Sequence, residues 1–444
     1  MTRDPVAARE RRRSYDREIL RLGLPTLASL IAEPLYILVD TAVVGHLGTP
    51  ELGGLAVAGA LLVAGYSLFI FLAYGTTSSV ARLVGAGETR QAVREGAQGL
   101  WLSALIGVSI AAVGLVLAEI LVGAMGAEGE VRQHALVYLR ISLIGVPALL
   151  ITLAGTGYLR GMQNTRTPLV VTIAASLANL ILELVLIYGF GFGIGASAAA
   201  TVVVQIAAAV AYGAILRRDA RNAEVALRPD PRMLRALGAV GFNLFVRTAS
   251  LRAALLGATA VATRIGTSEL AAHQIAFEIW NLLALCLDAI AIAGQAMIGR
   301  LLGAGAATEA RHAARRMIGW GIAGGAVLGV VLVVVRNLLP PVFTGDAEVA
   351  RLTAFLLVLV AVQQPLAGLA FVLDGILIGA DDTRFLAWAM ALAAFVLLGG
   401  LALVLELNAG IGALWTAVAA FMLTRAIALS LRFRSPAWQR VGSR

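Results

Sequence analysis

Asp40 and Glu183 are carboxylic acids set inside long apolar stretches, and each has a polar residue one helical turn before it: Tyr36 and Asn179. Ionisable groups in such surroundings are costly unless they are paired or face water, so they mark functional sites. Counted from the breaks in the apolar pattern near Gly45, Gly189 and Gly193, Asp40, Glu183 and Thr201 fall at one depth. At ~1.5 Å per residue that depth is roughly 8–11 Å below one surface. Two carboxylates, an amide, a hydroxyl and a phenol can therefore meet at one level. Two facing acids in a poorly solvated site share a proton or hold a cation. The same oxygens, with Asn179 and Thr201, suit Na⁺ as well as H⁺, and their chemistry leaves both open. The plainer alternative makes Asp40 and Glu183 separate groups near the outer interface, each reaching water.

Other candidates lie on the same apolar stretches. Pro25 and Pro34 each remove a backbone hydrogen bond from the segment that carries Asp40, which makes that segment a bending element. Glu33 lies on the same side of it, and Glu278 is placed to face a central cavity, balanced by Arg252. Arg247 and Asp288 fall at equal depth on neighbouring antiparallel helices, ~27 Å from their external ends, and are expected to form a structural ion pair. The lone Cys286 excludes an intrachain disulfide and reads as packing. His46, His134, His273 and His312 are scattered with no HExxH or Cys/His spacing, so no metal site is expected. Nor is there a GxxxxGK[ST] loop, which argues against ATP-driven chemistry.

Positioning these side chains requires membrane helices. Of the 444 residues, 59% are hydrophobic and 14% charged, against about 25% charged in soluble proteins. Apolar runs long enough to cross a ~30 Å hydrocarbon core recur throughout. The pattern predicts helices at 17–46, 53–83, 95–122, 132–159, 168–189 and 194–217, then at 233–265, 270–301, 311–338, 348–378, 384–407 and 411–433. This divides the chain into an arm (1–16), a six-helix bundle (17–217), a linker (218–232), a second bundle (233–434) and a tail (435–444). The net charge of +9 comes from arginine alone, clustered in the arm, alternate loops, linker and tail. The opposite loops hold Glu51, Glu128, Glu130, Glu269, Asp346, Glu348 and Glu406. That asymmetry places both termini in the cytoplasm, and it explains the basic balance without a nucleic-acid partner. Anionic lipid is the remaining candidate for contact.

The two bundles are copies. "HLGTPELGGLAV…ARLVGAG" in the first half returns as "RIGTSELAAHQI…GRLLGAG" in the second. Pro147 pairs with Pro365, Gly157 with Gly375, and Arg166 with Arg384. A one-residue slip then brings Gly193 onto Gly410, while Asp40 corresponds to Ala258. Six helices per copy give parallel repeats, with substrates expected at the repeat interface.

The run "GLPTLASLIAEPLYILVDTAVVGHLGTPELGGLAVA", followed by "RLVGAG" and by the second copy, resembles the multidrug and toxic compound extrusion (MATE) family and its DinF-like branch. The resemblance covers about residues 17–434. It implies an all-α fold of twelve transmembrane helices in two pseudo-symmetric six-helix bundles, forming a V around a central cavity. It also implies that Asp40 is the coupling residue, assisted by Pro25, Tyr36, Asn179 and Thr201. Where the family usually carries Asp on helix 5, this chain has Glu183, and the acid that another branch uses on helix 7 has no counterpart. The function expected is a non-enzymatic secondary antiporter in the cell inner membrane. It would work as a monomer without a cofactor, exporting amphipathic cationic small molecules in exchange for H⁺ through Asp40. Na⁺ coupling is the nearest alternative. A lipid-linked-precursor flippase of the wider superfamily is another, and its cavity would be richer in Arg. A non-transporting receptor is disfavoured by the cost of the buried acids.

Overall fold

The computed structural model describes residues 5–442, except for the side chains of residues 5–9 and Glu33. Every regular element among them is helical: α1 (Pro5–Gly45), α2 (Thr49–Ser67), α3 (Phe71–Gly85), α4 (Thr89–Ala124), α5 (Gly129–Gly161), α6 (Arg166–Leu184), a π turn (Val185–Gly189), α7 (Ile194–Asn222), α8 (Pro231–Ile265), α9 (Thr267–Gly303), α10 (Ala307–Val335), α11 (Pro340–Phe343), α12 (Ala347–Gly379), α13 (Thr383–Glu406) and α14 (Gly410–Arg434). They supply 12 spans long and apolar enough to cross a membrane, with α2 and α3 joined as one, Thr49–Gly85.

Helix α1 starts well before the expected residue 17. Tyr15 in the arm extends a buried row at helical spacing that continues through Ile19, Leu22 and Thr26. The tail is not loose either. Trp438 is 1% exposed and stacks on Phe433, and the Gly442 amide donates to the Leu302 carbonyl at 3.0 Å.

The repeated motifs turn out to be helix punctuation. In both GT-x-EL copies the glutamate, Glu51 or Glu269, lies in the first turn of a helix, where its charge complements the helix dipole. In both RL-x-GAG copies the last glycine, Gly87 or Gly305, has φ near +75°, a left-handed value that ends the helix at little cost for glycine. Other repeated glycines mark close helix approach. A Cβ at Gly157 would collide with the carbonyl of Ala73, and one at the equivalent Gly375 with that of Ala291. Gly107 meets Pro147 in the same way, as Gly325 meets Pro365.

The single-residue slip in the repeat also has a structural counterpart. It falls between Arg166/Arg384 and Gly193/Gly410. Within that stretch the first half carries the π turn, whereas α13 runs on as α-helix. A π turn takes up one extra residue, and this one begins two residues after Glu183.

Two compact units emerge. One comprises Ala28–Gly241, with α5 as its axial helix, packed by α2, α3, α4 and α7. The other comprises Phe242–Arg444 with the chain as far as Leu27, and its axial helix is α12, packed by α9, α10 and α14. The chain changes unit inside α1, two residues past Pro25, and again inside α8. Helix α1 runs through both Pro25 and Pro34 without a break in helix assignment. Before α8, Asp230 accepts from the Arg232 and Met233 amides and from Arg94. Those backbone donors, Arg232 first, hold its carboxyl below the usual carboxylate range.

Candidate functional site

Three helices of the first unit each contribute two polar residues one turn apart: Tyr36 and Asp40 from α1, Asn179 and Glu183 from α6, Ser197 and Thr201 from α7. Each pair lies on one face, so three such faces can close on one point. The Ser197 hydroxyl donates to Asp40 Oδ1 at 3.0 Å. Asn179 Nδ2 donates to Thr201 Oγ1 at 2.9 Å, and the Thr201 hydroxyl shares a hydrogen bond of 3.1 Å with the Tyr36 phenol. Glu183 lies against Asp40 and Ser197, and the Tyr138 phenol faces the same group from α5.

The pattern of satisfaction is one-sided. Glu183 is fully buried, yet neither carboxylate oxygen has a hydrogen-bond partner, and neither does Asn179 Oδ1. All three orphans are acceptors. A carboxylate sealed from solvent without a donor is not stable as a bare anion. The cluster therefore calls for a proton or a small cation.

Asp40 is the link between this cluster and open space. Although 6% exposed, it lines a cavity of about 420 Å³ within the same unit. Tyr36, Tyr66, Tyr138, Thr201 and Gln205 supply the other polar surface, and Leu52, Leu55, Val63 and Val146 are among the apolar wall. Among the described residues that line it there is no arginine.

Thus five residues singled out from sequence (Tyr36, Asp40, Asn179, Glu183, Thr201) come together. Ser197 and Tyr138 were not anticipated. Ser197 had a signal, since it lies one turn before Thr201, but it sits in the small-residue run "GASAAAT" that reads as packing.

The other candidates separate. Glu278 is exposed and accepts a hydrogen bond from Gln274 on its own helix at 3.1 Å. The side chain of Glu33 lies outside the described residues. On the second unit, Arg247 donates from both Nε and Nη2 to Asp374 on α12, a partner that the sequence reading, which paired Arg247 with Asp288, did not name. Arg425 approaches the same Asp374 at 3.8 Å and lies over the rings of Phe371 and Phe421. Half-buried Asp288 acts on Arg425 electrostatically, so it joins the buried Arg247, Asp374 and Arg425 in one charge cluster of the second unit.

Comparison with known families decides the affiliation. The MatE family model matches residues 25–185 and 255–402, covering both units. The chain belongs to the MATE family. As a MATE protein it is a membrane transporter of the multidrug and toxic compound efflux type, not an enzyme. It is 31% identical over 442 residues to the Arabidopsis thaliana Protein DETOXIFICATION 44, chloroplastic, with 96% of this chain and 84% of that one covered. It is 26% identical to the DNA damage-inducible protein F of Escherichia coli over 431 residues, at 95% and 92% coverage. That similarity places it with the DinF-like MATE transporters. Among solved structures, the Vibrio cholerae MATE transporter VcmN, in a mutant form, superposes with a TM-score of 0.87 at 21% identity, covering 96% and 97% of the two chains. A MOP superfamily transporter from Pyrococcus furiosus gives 0.84 at 21% identity, covering 96% and 95%. These likenesses establish the MATE fold for the chain.

Proposed function

We propose that this MATE protein is a secondary antiporter that expels amphipathic cationic small molecules from the cytoplasm in exchange for protons taken up at Asp40. The reading places it in the cell inner membrane with both termini cytoplasmic, following the arginine asymmetry, and needs neither a cofactor nor a second subunit. One observation carries it: a buried set of unsatisfied acceptors stands behind Asp40, which itself faces a cavity.

An apolar wall with three tyrosine rings suits an organic cation, whose charge is attracted by both the Asp40 carboxylate and the ring faces. With Asp40 ionised, the cavity holds the cation. A proton reaching Asp40 cancels its charge, the cation loses its partner, and release follows. Ser197 keeps the carboxylate oriented through this exchange. A flippase of anionic lipid-linked precursors would want positive charge where this cavity has none.

Sodium has one specific observation in its favour, the unpartnered Asn179 Oδ1, a neutral oxygen of the kind that completes a cation shell. Efflux from substrate-loaded proteoliposomes in Na⁺-free buffer separates the two. Transport driven by an acidic exterior alone is expected, whereas transport that appears only when Na⁺ is added would overturn proton coupling.

A further inference from the structure

The cytoplasmic end of α1 presents two unlike faces. Its inner face buries Tyr15, Ile19, Leu22 and Thr26 within the second unit. The flanks of that face carry acids, and each acid is matched. Asp16 accepts from Arg316 through two bonds, of 2.6 and 2.8 Å, and from the Trp320 indole at 2.7 Å. Glu18 accepts from Arg300 at 2.6 Å. Tyr15 donates to Glu309, which also pairs with Arg11 at 3.5 Å.

At ~100° per residue the opposite side of the helix carries Arg13, Arg17, Leu20, Arg21 and Leu24. The three arginines are exposed, and Leu20 and Leu24 are 40% and 59% exposed. Among the described residues Arg13 and Arg17 have no ion-pair or hydrogen-bond partner. Order along the face is informative: arginines lie towards the chain terminus and leucines deeper, with Arg21 between. Glu10 closes the row at its outermost end. Charge outside and apolar surface inside is the profile of a bilayer interface, where guanidinium groups meet phosphates and leucines meet acyl chains.

We propose that this outer face of α1 is a binding site for an anionic phospholipid of the cytoplasmic leaflet. The inner arginines matter to it as well. With Asp16 and Glu18 neutralised by Arg316 and Arg300, the headgroup meets a positive field. Because α1 continues unbroken to Asp40, the bound lipid steadies the end of the helix that carries the coupling acid. The inference uses the cytoplasmic placement of α1 proposed above but not the identity of substrate or coupling ion.

Native mass spectrometry of the full chain tests it, with phosphatidylglycerol and phosphatidylcholine as probes. An R13Q/R17Q variant should lose affinity for phosphatidylglycerol by about twenty-five-fold, at roughly fivefold per arginine, and keep its weak affinity for phosphatidylcholine. R13K/R17K, which retains the point charges, should bind phosphatidylglycerol nearly as the parent does. Glycerol 3-phosphate, a headgroup without acyl chains, should compete poorly. Unchanged phosphatidylglycerol binding by the Gln variant would overturn the site. So would loss by the Lys variant equal to that of the Gln variant, or displacement of the lipid by glycerol 3-phosphate at lipid-like concentration. No readout depends on transport, so a failure of the efflux reading leaves this result interpretable.

Discussion

At the scale of single residues, the division of labour between the two acids follows from their surroundings. Asp40 has a hydroxyl donor and faces a cavity; Glu183 has neither donor nor access. Asp40→Asn should insert and purify like the parent but reduce gradient-driven efflux to the level of protein-free liposomes. Near-parental efflux by that variant would remove Asp40 from the coupling role. Glu183→Gln turns one of the two orphan carboxylate oxygens into a donor amide, one helical turn from the orphan Asn179 Oδ1, so its thermal unfolding in detergent should be no lower than the parent's while coupled efflux falls. A loss of several degrees would mean that the carboxyl group makes stabilising contacts in its present state. Much of this site was legible from spacing, because acids in apolar helices are rare and depth can be counted over a few residues from a helix end. Tyr138 escaped because α5 carries no intramembrane acid to prompt such a count, and its phenol competes for attention with flanking arginines.

Among the elements, helix ends other than the start of α1 were readable to within about six residues, since Gly, Pro and the acids of the GT-x-EL motif stop and start the apolar pattern. The pairing of Arg247 with Asp374 was not readable. Asp374 sits near the end of α12, and no periodicity reveals how far that helix overhangs its neighbour. The pairing can be tested by stability. Truncating either Arg247 or Asp374 to Ala breaks this buried pair, at a cost on the order of 3–5 kcal/mol. Replacing both with apolar residues of similar volume should recover much of the melting temperature, with Arg425 still balanced by Asp288. If the double variant is as unstable as the two single losses added together, the two residues do not act as a pair.

Viewed as a whole, the molecule is a duplication in which only one copy carries polar residues at the positions of the candidate site. Following the repeat, Tyr36, Asp40, Tyr138, Asn179, Glu183, Ser197 and Thr201 correspond to Ala254, Ala258, Leu356, Leu397, Leu401, Leu414 and Val418. All seven of the latter are buried members of one hydrophobic cluster. The same backbone scaffold thus holds a polar site in one unit and a packed apolar core in the other. Leu401→Glu, which restores an acid at the position equivalent to Glu183, should cost on the order of 3–5 kcal/mol through lost packing and a buried charge together. It should not create a second coupling site. Gradient-driven efflux by a combined Asp40→Asn, Leu401→Glu variant would show that the second unit can be made to couple.

That the second copy does not repeat the site also sets a thermodynamic limit on the proposed exchange. With one coupling acid per chain, each cycle trades one proton for one monovalent cation, and no net charge crosses the bilayer. Membrane voltage then adds nothing to the driving force, and only the pH difference remains. One pH unit is worth ~1.4 kcal/mol, so the steepest substrate gradient such a pump can sustain is roughly tenfold per unit of ΔpH. Substrate accumulation should therefore be insensitive to a valinomycin-clamped potential and collapse with nigericin. A steady-state gradient that grows with voltage at fixed ΔpH would require a second charge per cycle and would overturn the one-for-one exchange.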